Sequence, residues 1–166
     1  MYLQLMPNQH VRELYLHYQD VRQISLTVDQ FTSFLAFFPA LLIAASDGIV
    51  DREEWIYCQR LAQGLGYSYR EELSPEDTDK LTMLYRQEFA YLLQHLSQWE
   101  EPFLNTLEKY FLENRYAKKF VSQTAWLFAD ASNGVSAEEE SKMKYLRKRF
   151  GLSKEDMRAF DELGEA

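Results

Sequence analysis

The stretch "FLAFFPALLIAASDGIVDREEW" (Phe34–Trp55) decides the fold, because in it a long apolar run gives way to an acidic, capped helix. The apolar run is too short to span a bilayer and contains a proline, so we expect a buried core helix that kinks near Pro39. The run stops at the Asp-Gly turn at 47–48, and Asp51 with Glu54 forms a capping box for the next helix. The stretch therefore predicts two helices joined by a tight turn.

The remainder of the chain shows helical periodicity and no alternating strand pattern of useful length. Capping residues, or a proline at the first helical position, mark the expected helix starts, which lie at Thr27, Asp51, Ser68, Ser74, Pro102, Ser136 and Ser153. Gly66 is expected to end the helix that follows Asp51 as a left-handed cap. We predict an all-α fold, a compact bundle of about seven to nine helices that forms a single domain over residues 1–166.

The chain repeats itself after a shift of about 85 residues. Val50 then falls on Val135, Glu54 on Glu139, and Gly66 on Gly151. Each copy consists of a helix, a tight turn, a capped helix, a glycine stop and another capped helix. The two copies, at about 36–73 and 121–162, predict two pseudo-repeated helix-turn-helix halves that pack around a pseudo-twofold axis.

The composition and net charge of the chain exclude several classes of protein and partner. Hydrophobic residues make up 46% of the chain, which argues against disorder, and the formal net charge is −8. An acidic chain does not favour nucleic-acid backbones or anionic lipid surfaces, and suits cations or basic partners. The single cysteine, Cys58, cannot form an internal disulfide, which fits a reducing compartment. The N-terminus lacks the pattern of a signal peptide, so we expect a cytoplasmic protein.

The Asp-Gly turn has part of the pattern of an EF-hand calcium loop. If Asp47 takes the fifth position of such a loop, Glu54 takes the twelfth, but Ile43 and Ala45 then occupy the first and third positions and cannot ligate through their side chains. The turn is therefore not an EF-hand. Two interpretations remain: a capped helical turn, which the spacing alone favours, or convergence of Asp47, Asp51 and Glu54 on a hard cation, calcium or magnesium rather than zinc.

Other chemistry-bearing residues favour structural roles. His10, Glu13 and His17 share a face of the first helix, but the Glu-to-His spacing does not match the di-iron motif and no second copy is found in the sequence, so we expect a solvated polar face. His95 is expected to be a packing residue and Cys58 a buried, inert thiol. The sequence contains no serine elbow, Walker loop or dinucleotide glycine motif, so we expect no enzymatic activity.

Two windows resemble one known family. "AASDGIVDREEW" followed by "LAQGLGYS" resembles the tellurite-resistance TerB family, and "FADASNGVSAEEE" followed by "KRFGLS" is similar to the second half of the family motif. The resemblance implies an all-helical fold with internal pseudo-symmetry. It also implies a non-enzymatic role linked to tellurite resistance and stress responses, with divalent-cation binding by acidic residues.

The family pattern transfers position by position. Asp47 matches the aspartate of the first turn, Asp51 its cap and Glu54 the following glutamate, while Ser136 and Glu139 match the cap and the glutamate of the second half.

The second turn departs from the pattern, because Ser132 and Asn133 stand where the family shows Asp-Gly. Asp130 is the nearby carboxylate that could replace the missing one. The candidate cation ligands are therefore Asp47, Asp51, Glu54, Asp130 and Glu139.

Three functions follow. The first is a TerB-like cytoplasmic stress protein that binds a divalent cation and docks onto protein partners, among them a membrane protein of the same resistance system. The alternative is a metal-free helical protein-protein interaction module with an exposed aromatic groove fed by Trp55, Tyr57 and Trp99. The third, a helical-bundle enzyme with a carboxylate-bound metal, lacks the required ligand spacing. Nucleic acid is not an expected partner, and a homodimer is left open.

Overall fold

The chain folds as helices throughout the part that a computed structural model describes, residues 7–46, 52–131 and 136–153. Eight helices lie in these ranges: α1 (Gln9–Arg22), α2 (Val28–Ala36), α3 (Phe38–Ala44), α4 (Arg52–Tyr67), α5 (Pro75–Gln94), α6 (Leu96–Glu113), α7 (Arg115–Ala131) and α8 (Ala137–Phe150). No strand occurs in the same ranges. The prediction of an all-α fold with seven to nine helices is therefore confirmed.

An aromatic cluster forms the centre of the core, where α1, α2, α5 and α6 meet. The rings of Tyr18 and Trp99 lie 4.9 Å apart, and Phe34 lies 4.9 Å from Phe89. Phe103 is fully buried and packs 4.6 Å from the ring of Phe38. Each large side chain that is fully buried contributes roughly 1.5–3 kcal/mol, so this cluster supplies much of the driving force for folding.

The two predicted repeat halves pack in a reciprocal pattern. Helix α3 packs along α7, α3 also packs against α8, and α4 packs against α7. A twofold axis that exchanges α3 with α7 and α4 with α8 would convert the contact of α3 with α8 into that of α7 with α4, so these contacts are compatible with the predicted repeat. The second repeat extends past Ser153, and that part lies outside the described residues.

Three predicted helix starts, at Thr27, Ser74 and Ser136, follow their capping signals. Thr27 and Gln30 form a complete capping box, in which the Gln30 amide donates to the Thr27 hydroxyl at 3.1 Å and the Thr27 amide donates to Gln30 Oε1 at 2.9 Å. Ser74 and Ser136 each accept a hydrogen bond from the amide three residues on. The expected kink is a break at Phe37 between α2 and α3, with Pro39 in the first turn of α3. The caps expected at Asp51 and Ser153 involve residues outside the described ranges.

Gly66 does not have its predicted role. Helix α4 continues through Gly66 to Tyr67, so Gly66 is not a left-handed cap, and residues 68–73 form turns rather than the short helix expected from Ser68. A Cβ atom at Gly66 would lie 2.0 Å from Thr82 Oγ1 and 2.8 Å from Thr82 Cα. Gly66 is therefore a point of close approach between α4 and α5, and a side chain does not fit there.

The predicted helix start at Pro102 is also wrong, because α6 begins six residues earlier and contains Pro102 in its interior. The preceding turn is held in place by Trp99, which is 1% exposed and donates from Nε1 to the Tyr91 hydroxyl at 2.9 Å. Burial of Trp99 and Phe103 on either side of the proline offsets the backbone hydrogen bond that Pro102 cannot make.

Candidate functional site

The end of α3 and the start of α8 meet at one recess. Ser46, which follows α3, lines it together with Ala137, Glu138, Ser141, Lys142 and Tyr145 of α8, and its volume is about 560 Å³. Asp47 directly follows Ser46 in the chain. The described end of α3 therefore lies beside the start of α8, an arrangement that is compatible with the predicted repeat.

Most of the predicted cation ligands fall outside the residues whose side chains the structure describes. Asp47 and Asp51 lie in the undescribed segment between α3 and α4. Glu54 belongs to α4 and Asp130 to α7, but the positions of their side chains lie outside the described part. Ser132 and Asn133 of the second turn lie outside it as well. The grouping of these carboxylates therefore stays a prediction.

Glu139 is the predicted ligand that the structure places. It is the third residue of α8 and is 5% exposed, and its amide donates to the Ser136 hydroxyl at 3.1 Å. Glu138 and Glu140 complete an acidic first turn, where the partial positive charge of the helix N-terminus stabilises carboxylates. A buried carboxylate at this position is held by local structure, whether or not an ion is bound.

The electrostatics of the recess are mixed. The Lys142 ammonium, which lines it, lies 2.5 Å from Glu100 Oε1 on α6. This ion pair neutralises part of the positive charge that would otherwise repel a cation. Among the side chains that the structure describes, no three His, Cys, Asp or Glu residues are grouped closely enough to hold a metal ion, and four of the five predicted ligands are not among those side chains.

Three predicted structural roles agree with the observed contacts. His95 stacks on Tyr91 at 4.2 Å and its Nδ1 lies 2.8 Å from the Tyr91 carbonyl oxygen, as expected of a packing residue. Glu13 and His17 are exposed, as expected of a solvated polar face, although the His17 ring also lies 5.4 Å from the Trp99 ring. Cys58 is 2% exposed, which confirms its predicted burial.

The aromatic groove expected of a metal-free module does not form as predicted. Trp99 is 1% exposed and belongs to the core, and Trp55 is partly buried against the core. The Tyr57 side chain lies outside the described part. Trp99 contributes its ring to the interior because its indole N–H finds a buried acceptor, the hydroxyl of Tyr91.

A buried charged cluster centred on Glu88 was not predicted. Glu88 is 0% exposed and accepts from the Tyr18 hydroxyl at 2.7 Å, from Arg22 Nε at 2.8 Å and from Arg22 Nη2 at 3.0 Å. The Arg22 guanidinium also lies 3.6 Å from the centre of the Tyr91 ring. Glu88 stands on the apolar stripe of α5 between Tyr85 and Leu92, and an acid at that position was the available signal.

The Glu88 cluster has a structural role, because its hydrogen bonds and ion pair connect α1 to α5. Burial, and then the negative charge of Glu88, raise the pKa of the Tyr18 phenol far above its ordinary value. The hydrogen bonds to Glu88 raise the pKa of Arg22. Every polar group of the cluster has a partner, so Glu88 fixes α1 against α5.

Comparisons of the chain with protein-family models, curated proteins and solved structures give no significant match. Among the described helices, none has both the length and the apolar character needed to cross a membrane.

Proposed function

We propose that this protein is a non-enzymatic, TerB-like stress protein of the cytoplasm, whose helix turns bind a divalent cation and which docks onto protein partners of a tellurite-resistance system. One observation carries the proposal: the first turn is entered at Ser46, in the same recess as the acidic N-terminus of α8. Residues of the two repeats that are about 90 positions apart in sequence thereby adjoin one site. The resemblance of both windows to the TerB motif supports the same assignment.

The proposed carboxylate ligands differ in how strongly the protein stabilises their negative charge when no ion is bound. Glu139 already has the N-terminus of α8 beside it, whereas Asp47 stands in the sequence five residues before Arg52, where α4 begins. Oxygen ligands of this type select calcium or magnesium over zinc. We therefore assign Asp47 the largest dependence on the cation.

Thermal unfolding after chelation, then with added calcium, magnesium, manganese or zinc, tests the proposal. An ion that binds only the folded chain at a hundred times its Kd stabilises it by about 2.7 kcal/mol, which corresponds to roughly 5–10 °C in Tm for a chain of this size. We expect this rise in the native protein and its loss in Asp47→Asn. Asp79→Asn, which removes an exposed carboxylate from α5, is the matched control and should keep the full rise.

Two results would refute the cation site. One is the absence of any rise in Tm with millimolar concentrations of all four ions. The other is an equal rise in the native protein and in Asp47→Asn, since the ion would then bind elsewhere. Isothermal titration of the same variants measures stoichiometry directly and separates one site from diffuse binding to an acidic surface.

A metal-free protein-protein interaction module is the second candidate. The observation that favours it is a pair of large apolar side chains that face solvent at the junction of α6 and α7, Leu112 at 86% and Tyr116 at 74% exposure. Exposed apolar side chains that are grouped, rather than scattered, mark interaction surfaces.

A further inference from the structure

A basic groove lies at the junction of α6 and α7, beside the end of α8. Its volume is about 750 Å³, and its lining includes Leu112, Arg115, Tyr116, Lys118 and Lys119. Phe111, at 5% exposure, forms part of its apolar floor. The groove therefore combines three cationic side chains with apolar surface, within a chain whose overall net charge is −8.

The charge of the chain is strongly partitioned. Residues 1–108 contain seven Lys and Arg against sixteen Asp and Glu, a net charge of −9, whereas residues 109–153 contain nine against five, a net charge of +4. The groove is formed entirely by the second of these segments. Such an asymmetry creates a local positive potential that attracts anionic groups to one face.

The basic side chains of the groove differ from Arg149 of α8 in their ion pairing. Arg149 pairs with Glu101 at 2.9 Å and with Glu108 at 3.2 Å. Within the described part of the chain, by contrast, neither Arg115 nor Lys119 forms an ion pair, and Lys118 donates to the Gly151 carbonyl oxygen at 2.8 Å. The groove thus presents positive charge that the described carboxylates do not neutralise.

We infer that this groove binds an acidic peptide segment of a protein partner, one in which Asp or Glu residues alternate with large apolar side chains. The apolar residues of the segment pack on Leu112 and Tyr116, and its carboxylates face Arg115 and Lys119. A long polyanion such as nucleic acid fits less well, because the surface contributed by residues 1–108 repels it beyond the groove. The inference does not depend on the cation site.

The test is fluorescence anisotropy with the full chain and a labelled peptide in which Asp-Glu pairs alternate with Leu-Phe pairs, in a buffer that contains EDTA. Arg115→Glu with Lys119→Glu should weaken binding at least about tenfold, since like charges would then face each other. Tyr116→Ser should weaken it several-fold. Arg86→Glu, which reverses a single charge at an exposed position on α5, is the control and should bind as the native chain does. Because all four residues are exposed, we expect the variants to keep the native circular dichroism spectrum.

Salt and peptide chemistry provide further checks. Binding should weaken as salt is raised, because the screening length is about 10 Å at 0.1 M. A peptide with the same charges but Ser-Gly in place of Leu-Phe should bind more weakly. Equal binding of that peptide, an equal loss in Arg86→Glu, or tighter binding of a single-stranded oligonucleotide would overturn the inference.

The chain's own C-terminal residues are the remaining competitor for the groove. Ser153 lines it, and residues 154–166 contain two Lys and Arg against five Asp and Glu. A variant of the whole chain with the five acidic side chains of the tail neutralised separates the two cases; its substitutions are Glu155→Gln, Asp156→Asn, Asp161→Asn, Glu162→Gln and Glu165→Gln. Peptide binding by the native chain that this variant leaves unchanged supports a separate partner. Binding seen only in the variant would assign the groove to the tail and overturn the inference.

Discussion

Replacing Gly66 with alanine tests how α4 and α5 are held together. In any helix, alanine is favoured over glycine by about 1 kcal/mol, so the substitution would be stabilising if space allowed. At Gly66, however, the added Cβ meets Thr82 Oγ1 at 2.0 Å, Thr82 Cα at 2.8 Å and Thr82 Cβ at 2.9 Å. Rotation of the Thr82 side chain cannot relieve the contacts with Cα and Cβ. The two helices must therefore move apart.

The size of the effect follows from these distances. Ordinary contact requires a separation greater than 3.4 Å, so the helices must separate by roughly 0.5–1 Å at this point, and a gap of that size forfeits a quarter to a half of the dispersion energy of the atoms that it separates. Overpacking of this kind costs about 1–3 kcal/mol or more. Because the Thr82 Cα and Cβ atoms cannot rotate away, we take the upper part of this range, about 2–3 kcal/mol, and subtract the gain of about 1 kcal/mol in helix propensity. We therefore expect Gly66→Ala to destabilise the protein by about 1–2 kcal/mol.

Urea unfolding monitored by circular dichroism measures this cost, and Gly64→Ala supplies the control. Gly64 lies in the same helix, and a Cβ there would meet nothing within 4 Å, so Gly64→Ala should be stabilising by about 0.5–1 kcal/mol. The two alanine variants should thus differ in opposite directions from the native chain. Thr82→Ala should rescue Gly66→Ala only in part, because the Thr82 Cα and Cβ contacts remain.

A Gly66→Ala variant as stable as the native chain would refute the close packing of α4 on α5. The reasoning would also fail if Gly66→Asn were better tolerated than Gly66→Ala, since that order is expected of a left-handed cap and not of a helix contact.

Three further substitutions have clear expected outcomes. Glu88→Gln leaves the Arg22 guanidinium without its buried carboxylate and should lower the free energy of unfolding in urea by about 3 kcal/mol. A loss below about 1 kcal/mol, the size expected for an exposed acid, would contradict the structural role of Glu88. Burial raises the pKa of Tyr69 to about 12, so the unfolded chain ionises first and stability should fall as pH rises from about 10 to 12, by at most about 1.4 kcal/mol per pH unit; Tyr69→Phe should show a shallower loss, and an unchanged slope would argue against this. Ser136→Ala removes the acceptor for the Glu139 amide and should cost about 1 kcal/mol, whereas Ser136→Asp should be nearly neutral, and equal losses in both would exclude a capping role.

Features of the fold that depend on neighbouring residues in sequence were predictable. The capping box at Thr27 and the caps at Ser74 and Ser136 form from residues three apart, and Gly151 takes the left-handed conformation, with φ of 62°, that ends α8. In each case the sequence signal and the hydrogen bond involve the same short segment. Local chemistry is sufficient to place such helix ends.

Features that depend on contacts between distant segments were not predictable. A glycine at a helix contact and a glycine at a helix end look alike in sequence, so Gly66 was assigned to the wrong class although its copy Gly151 was assigned correctly. Pro102 was taken for a helix start because nothing local shows that Trp99, one turn earlier, is buried against Tyr91. Glu88 needed partners on α1, 66 and 70 residues away.

The candidate site also has features that were predictable from the sequence and features that were not. The cap at Ser136 and the acidic first turn of α8 could be read from the sequence and are observed. The contact of Ser46 with α8 was not predicted, because it joins segments about 90 residues apart, although it is compatible with the predicted repeat. The groove at Arg115 and Tyr116 was missed, because its residues do not form a motif and become a surface only through the packing of α6, α7 and the end of α8.

The interface between helix α8 and helix α6 consists largely of ion pairs and hydrogen bonds. Arg149 alone contacts Glu101, Asn105 and Glu108 of α6, while the apolar contribution of α8 to the core is limited to Met143, Leu146 and Phe150. Ion pairs at the surface weaken with salt, whereas buried apolar contacts do not. In high salt, α8 should therefore be the first helix to detach, at a free energy well below that of global unfolding.

Such detachment would uncover the apolar faces of α3 and α7, since Pro39, Val121 and Ala125 pack opposite Leu146 and Phe150. Amide hydrogen exchange in α8 would then be fast and sensitive to salt while α5 and α6 stay protected. Helix α8 would then detach from the core while the rest of the protein stays folded. Its detachment would expose an apolar surface that promotes association and that is buried in the native protein.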